Sequence, residues 1–159
     1  MKRPVPWELR EHAEPYNQLW DYLETQPESF GGIEIRQDPL EVDLYFSRDV
    51  GEHERTLRAL FEPPYRDMIR VFKAPLSTQE ALELTKELRT TMENVSRAEE
   101  RREKRTGAQR RSFSWGPHLG RVSVVLPTGY EEVGADLLDR YGDQISVEYR
   151  DMYVRAMAR

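Results

Sequence analysis

With 159 residues, 33% of them charged and 38% hydrophobic, the chain has room for one compact domain or two small subdomains, and a long solvated element would account for the high charge. A net charge of −5 weighs against a general polyanion binder, and the lack of cysteine removes disulfides, thiolate nucleophiles and cysteine-based zinc or iron–sulfur frameworks. No apolar run approaches the roughly 20 residues of a membrane span, and no apolar leader follows the basic start at Lys2 and Arg3, so the default expectation is a cytoplasmic protein, exported if a signal was removed.

Tyr16, Leu19, Trp20 and Leu23 fall on one helical face, with Pro15 in the first turn and Pro27 beyond the end. Ile33 and Ile35, the turn Gln37-Asp38-Pro39, and Val42, Leu44 and Phe46 read as a β-hairpin. Asp49 then stands where it would cap a short helix with Val50, His53, Leu57, Leu60 and Phe61 on one face. Pro63-Pro64 stops that helix, and Met68 to Lys73 reads as a strand with Ile69 and Val71 on one side.

Ser77 followed three residues later by Glu80 is a capping box, which predicts a long helix. Its apolar stripe runs through Ala81, Leu84, Leu88, Met92 and Val95 and then stops. Arg97 to Arg105 is almost wholly charged, which reads as a solvated helix or a linker, and Gly107 closes it. Phe113 and Trp115, then Val122, Val124 and Leu126, flank a second turn. Tyr130, Val133, Leu137 and Tyr141 mark a helix, and Ile145, Val147 and Tyr149 a last strand.

An offset of 80 residues superposes the two halves. Ile33 and Ile35 fall on Phe113 and Trp115, Val42, Leu44 and Phe46 on Val122, Val124 and Leu126, and Val50, His53, Leu57 and Phe61 on Tyr130, Val133, Leu137 and Tyr141; after a four-residue deletion at Pro63-Pro64, Ile69 and Val71 fall on Ile145 and Val147. The expected fold is therefore α+β: two ββαβ repeats with mainly antiparallel sheets, an N-terminal helix and a long charged connecting helix. The corresponding segments are 1–28, 29–76, 77–110 and 111–159, the last including a C-terminal tail.

Phe30-Gly31-Gly32-Ile33-Glu34-Ile35 followed by a hairpin and short helix resembles the opening of the pro-regions of secreted actinobacterial serine proteases of the α-lytic and streptogrisin type. Arg121-Val122-Ser123-Val124-Val125, then Tyr141-Gly142 and a strand, resembles their second half, and also a broader set of uncharacterised bacterial proteins with the same unit. Over residues 28–150 the resemblance implies a non-catalytic domain that acts by contact with a partner protein. Arg36 stands where the family's strand tends to carry an aspartate.

His12, His53 and His118 form no H-E-x-x-H and no i, i+4 pair, so no metal site is expected, nor any cofactor. His53 reads as a satisfied, partly buried histidine on an apolar face. Ser112, Ser114 and Ser123 lack a nucleophile elbow, the glycines match no phosphate loop, and no catalytic residue is singled out.

The leading expectation is a non-catalytic protein-binding domain whose partner is another protein or a second copy of the chain, the latter paired through the Leu84–Val95 stripe. The residues expected at a partner surface are Tyr153, Val154 and Met157 in the tail, Arg101, Arg105 and Arg111 in the basic stretch, and Trp115. Two alternatives stay open. One is a nucleic-acid module using Arg97–Arg111 with Phe113 and Trp115, which the charge balance disfavours. The other is an enzyme with an unrecognised site.

Overall fold

The computed structural model describes residues 3–154 and shows an α+β chain. It divides into two compact units, Met1–Glu80 with His118–Arg121, and Ala81–Pro117 with Val122–Arg159. Among the described residues no helix is long and apolar enough to cross a membrane.

In the first unit a 3₁₀ segment, Trp7–His12, leads into α1 (Ala13–Leu23). Strands β1 (Phe30–Arg36) and β2 (Glu41–Phe46) form an antiparallel hairpin in which Ile33 faces Leu44 and Ile35 faces Val42. Helix α2 (Val50–Leu60) and the one-turn α3 (Tyr65–Met68) carry the chain over to β3 (Ile69–Lys73). That strand lies parallel to β2, with Val42 beside Ile69 and Leu44 beside Val71, an arrangement that only a crossover connection permits. Alternation along β2 sends Val42, Leu44 and Phe46 into one core with Tyr16, Leu19 and Leu23 of α1 and Leu57 of α2. The N-terminal helical segment and the first ββαβ segment therefore share a single core. Truncating a fully buried leucine such as Leu44 to alanine costs about 2–5 kcal/mol in such a setting.

Asp49 occupies the position before α2 but makes no side-chain cap, contrary to the sequence expectation. Its backbone is left-handed (φ 52°, ψ 35°), whereas an aspartate that caps adopts extended angles from which its carboxylate can reach the first-turn N–H groups.

Helices α4 (Thr78–Glu87) and α5 (Arg89–Thr106) form the long charged element. Leu88 interrupts it as a flattened residue (φ −77°, ψ −8°), yet its N–H still donates to the Leu84 carbonyl and Met92 N–H donates to the Leu88 carbonyl. The capping box forms at its start: Ser77 N–H donates to Glu80 Oε1 at 3.2 Å, and Glu80 N–H donates to Ser77 Oγ at 3.1 Å. The stripe is buried at Ala81, Leu84, Leu88, Met92 and Val95. Those side chains are already buried in the single chain, so the stripe is not exposed for the pairing of two copies that the sequence suggested.

The short strand β4 (Arg111–Ser112) precedes β5 (Ser114–His118) and β6 (Arg121–Leu126), which are joined by Leu119-Gly120, both at positive φ. Helix α6 (Glu131–Tyr141) crosses to β7 (Ile145–Tyr149), which pairs parallel to β6 with Val122 beside Ile145 and Val124 beside Val147. The run from β5 to β7 thus has the same β-β-α-β order, and the same parallel register of its last two strands, as the run from β1 to β3. The equivalence weakens at the leading strand, because the first hairpin turns through four residues and the second through two. Each three-stranded sheet holds the hairpin and one parallel pair. The chain then forms β8 (Met152–Tyr153), antiparallel to β4.

Candidate functional site

The tail is the first place where predicted residues come together. Arg111 pairs with Tyr153 and Ser112 with Met152 in the β4–β8 ribbon. Ser112 Oγ donates to the Met152 carbonyl at 3.1 Å, Gln109 Nε2 donates to the Val154 carbonyl at 2.6 Å, and Val154 N–H donates to the Arg110 carbonyl. The backbone is thereby fixed while Tyr153 and Val154 keep 52% and 49% of their surface in solvent. Among the described residues, no further strand pairs with β8. Met157 lies outside the described residues.

Arg101 and Arg105 are exposed on α5, as the partner-surface reading requires. The end of α5 also touches the ribbon: Arg102 Nη1 donates to the Gln109 carbonyl, and Arg110 Nε donates to Glu103 Oε2 at 2.7 Å. Trp115 is half-buried. Its indole N–H donates to the Thr85 carbonyl at 3.0 Å and its ring stacks on Phe113, so this aromatic pair is engaged internally.

Arg111 is a correction to the expected surface. It is buried, because Glu99 is buried beside it. Arg111 Nε donates to Glu99 Oε1 at 2.9 Å and Nη2 to Oε2 at 3.1 Å, while Tyr130 Oη donates to Oε2 at 2.8 Å. The third guanidinium nitrogen reaches the Thr128 carbonyl at 2.9 Å and Asp151 Oδ1 at 3.1 Å. Burial alone would raise the Glu99 carboxyl, but hydrogen bonds from Arg111 and Tyr130 outweigh it and hold the group below the usual carboxylate range. Burial, reinforced by the bond to Glu99, pushes the Tyr130 phenol up to about 12. One arginine thus ties α5, the loop before α6 and the start of the tail to a single buried charge pair.

Sequence reasoning placed Glu99 on a solvated face. Its spacing held the contrary sign: Glu99 lies four positions after Val95 and seven after Met92, on the same stripe. A charge at a stripe position needs a buried partner, and Arg111 supplies it.

The first unit holds a different cluster. His53 is buried, its ring stacked on Phe46 with centroids 4.1 Å apart. The Tyr22 hydroxyl is 2.6 Å from Nδ1 and Ser29 Oγ is 3.0 Å from Nε2. Burial pushes the imidazole pKa down, against the opposing pull of Asp49 and Glu52. A cavity of about 450 Å³ opens beside it, lined by Thr25, Gln26, Pro27, Glu28, Ser29, Arg48, Asp49 and His53, so that Pro27 is its one apolar wall residue. His53 is a satisfied histidine as read from the sequence, whereas Tyr22 and Ser29 gave no sign of their role, lying 31 and 24 positions away.

A second cavity of about 320 Å³ lies between α5 and α6, with Val95, Ala98, Val133 and Leu137 as apolar wall and Tyr130 at its edge. Among the described residues no group of three or more His, Asp or Glu side chains is placed to hold a metal ion. The chain matches no family model, no curated protein and no solved structure.

Proposed function

We propose that the chain is a protein-binding module whose contact surface is the β8 edge with Tyr153 and Val154, flanked by Arg101 and Arg105. The observation that carries this reading is that Gln109 and Arg110 pin the backbone at Val154, just after β8, while the side chains of Tyr153 and Val154 stay half exposed. A strand held in register with an unpaired side is a template for a partner strand, in which main-chain bonds supply affinity and the alternate side chains supply selectivity. Tyrosine and arginine are also the residue types that dominate the energetics of protein interfaces. The resemblance to protease pro-regions, which act by contact, supports the same class of function. Arg111 has no part in this surface, since it is committed to Glu99.

A photo-cross-linking residue placed at Tyr153 tests the proposal in host cells. A discrete adduct is expected that fades when Val154→Asp is added, and that is absent when the cross-linker replaces Leu82, which is 47% exposed elsewhere. Equal adduct patterns at Tyr153 and Leu82 would refute it.

A further inference from the structure

Tyr22, Ser29 and His53 come from three separate segments: the end of α1, the turn before β1, and the first turn of α2. Their polar atoms meet in a row, Ser29 Oγ to His53 Nε2 at 3.0 Å and His53 Nδ1 to Tyr22 Oη at 2.6 Å. Stacking on Phe46, with planes 13° apart, holds the ring in a fixed orientation. A neutral imidazole has one donor and one acceptor nitrogen. With the proton on Nδ1 and given to Tyr22, Nε2 is left to accept from Ser29. A histidine buried only for packing has no need of open space at its hydroxyl partner, yet Ser29 and His53 both line the 450 Å³ cavity.

We propose that Ser29 is a nucleophile, with His53 as its general base and Tyr22 as a positioning residue, acting on small polar carboxylic esters that enter this cavity. The walls decide the substrate class. Thr25, Gln26, Glu28, Arg48 and Asp49 suit a short hydrophilic acyl group and would leave a long alkyl chain unsolvated by apolar contact. In the first step Ser29 Oγ bonds to the ester carbonyl carbon and its proton passes to His53 Nε2. The C–O bond to the alcohol then breaks, and the leaving oxygen takes that proton. Water, deprotonated in turn by Nε2, bonds to the acyl carbon; the bond from that carbon to Ser29 Oγ breaks, Oγ takes the proton back from Nε2, and the acid leaves with Ser29 and neutral His53 restored. The step is redox-neutral and needs water alone as co-reactant. It rests on the first unit and departs from the non-catalytic expectation, independently of the β8 surface.

The test is covalent labelling of the full chain with a fluorophosphonate, in which a Ser29 Oγ–P bond forms, the P–F bond breaks and the serine proton goes to Nε2. Peptide mapping by mass spectrometry should place one adduct per chain on Ser29. His53→Gln should slow labelling about 100-fold, the low end of what a general base supplies. Tyr22→Phe should shift the pH profile of labelling, since Tyr22 faces Nδ1 while Asp49 and Glu52 set the charge around the ring. Nitrogen-15 shifts should show the proton on Nδ1. No adduct on the wild-type chain, an adduct elsewhere, or a proton on Nε2 would each overturn the proposal, whether or not any variant folds.

Discussion

Glu99 and Arg111, twelve positions apart, face each other as a two-pronged pair with no solvent on the carboxylate, and Arg111 spends its remaining donor on Thr128 and Asp151. The pair therefore does for the second unit what an apolar residue at the Glu99 position would do for an ordinary helix, and it also fixes where the tail begins.

Breaking this pair on one side should be far more costly than its distance alone suggests. Arg111→Met leaves a buried carboxylate with the Tyr130 hydroxyl, the backbone N–H of residue 111 and a long contact to Arg102 as its remaining partners, and removing one member of such a pair costs about 3–5 kcal/mol. The exposed Lys104–Glu100 pair on the same helix is the control, since Lys104→Ala should change stability by about 1 kcal/mol or less. Urea unfolding of both variants checks this, and similar midpoints for the two would show that the buried pair is not special.

The same network sets an acid limit. Burial opposes ionisation of Glu99, but its hydrogen bonds prevail, and Asp151 is held low by the Thr128 N–H and hydroxyl before Arg111 adds its charge. A carboxylate whose folded pKa is depressed contributes stability that is complete above its unfolded value, about 4, and is lost as pH falls through the folded value. Thermal midpoints should hold steady down to about pH 5 and then fall. In Glu99→Gln the midpoint should start lower and fall less steeply. An unchanged slope in that variant would rule out Glu99 as a source of the acid sensitivity.

Much of the architecture was legible because sheets enforce a period of two. Val42 and Leu44 were matched to Val122 and Val124, and Ile69 and Val71 to Ile145 and Val147, by alternation and gap length, and the structure gives the two matched sets the same parallel register, a pairing the sequence reading had not drawn. What misled was chemistry that overrides pattern. Glu99 was read by its charge instead of its place on the stripe. Asp49 was read by its capping preference without its left-handed backbone. Tyr22 and Ser29 reach His53 only after three segments have packed, and no local spacing marks them.

Ser77 offers a test of a feature that sequence and structure share. Its hydroxyl accepts from Glu80 N–H while Glu80 returns a bond to Ser77 N–H, and the residue is fully buried. Ser77→Ala should cost about 1–2 kcal/mol, the upper part of the range for a lost N-cap, because no water replaces the bond. Adding Glu80→Ala should cost little more, since the box acts as a unit. Full additivity of the two losses in urea unfolding would argue against the box.

Gly120 separates crowding from backbone strain. It sits at φ +76° in the tip between β5 and β6, donates its N–H to the Gly31 carbonyl at 3.0 Å and accepts from Leu76 N–H at 2.9 Å. A Cβ there would lie 2.2 Å from the Ala74 Cβ and 3.0 Å from the Leu76 carbonyl oxygen, neither of which can swing aside. Gly129 has a comparable left-handed angle, φ +97°, with nothing within 4 Å of its would-be Cβ. Gly129→Ala should therefore lose only the strain of that conformation, about 1–2 kcal/mol. Gly120→Ala should lose that and a further ~1–3 kcal/mol from overpacking. Denaturant midpoints compare them directly. Equal losses would mean that the tip does not pack against Ala74 and Leu76 in solution, because the two sites differ in what surrounds the missing methyl and hardly at all in backbone angle.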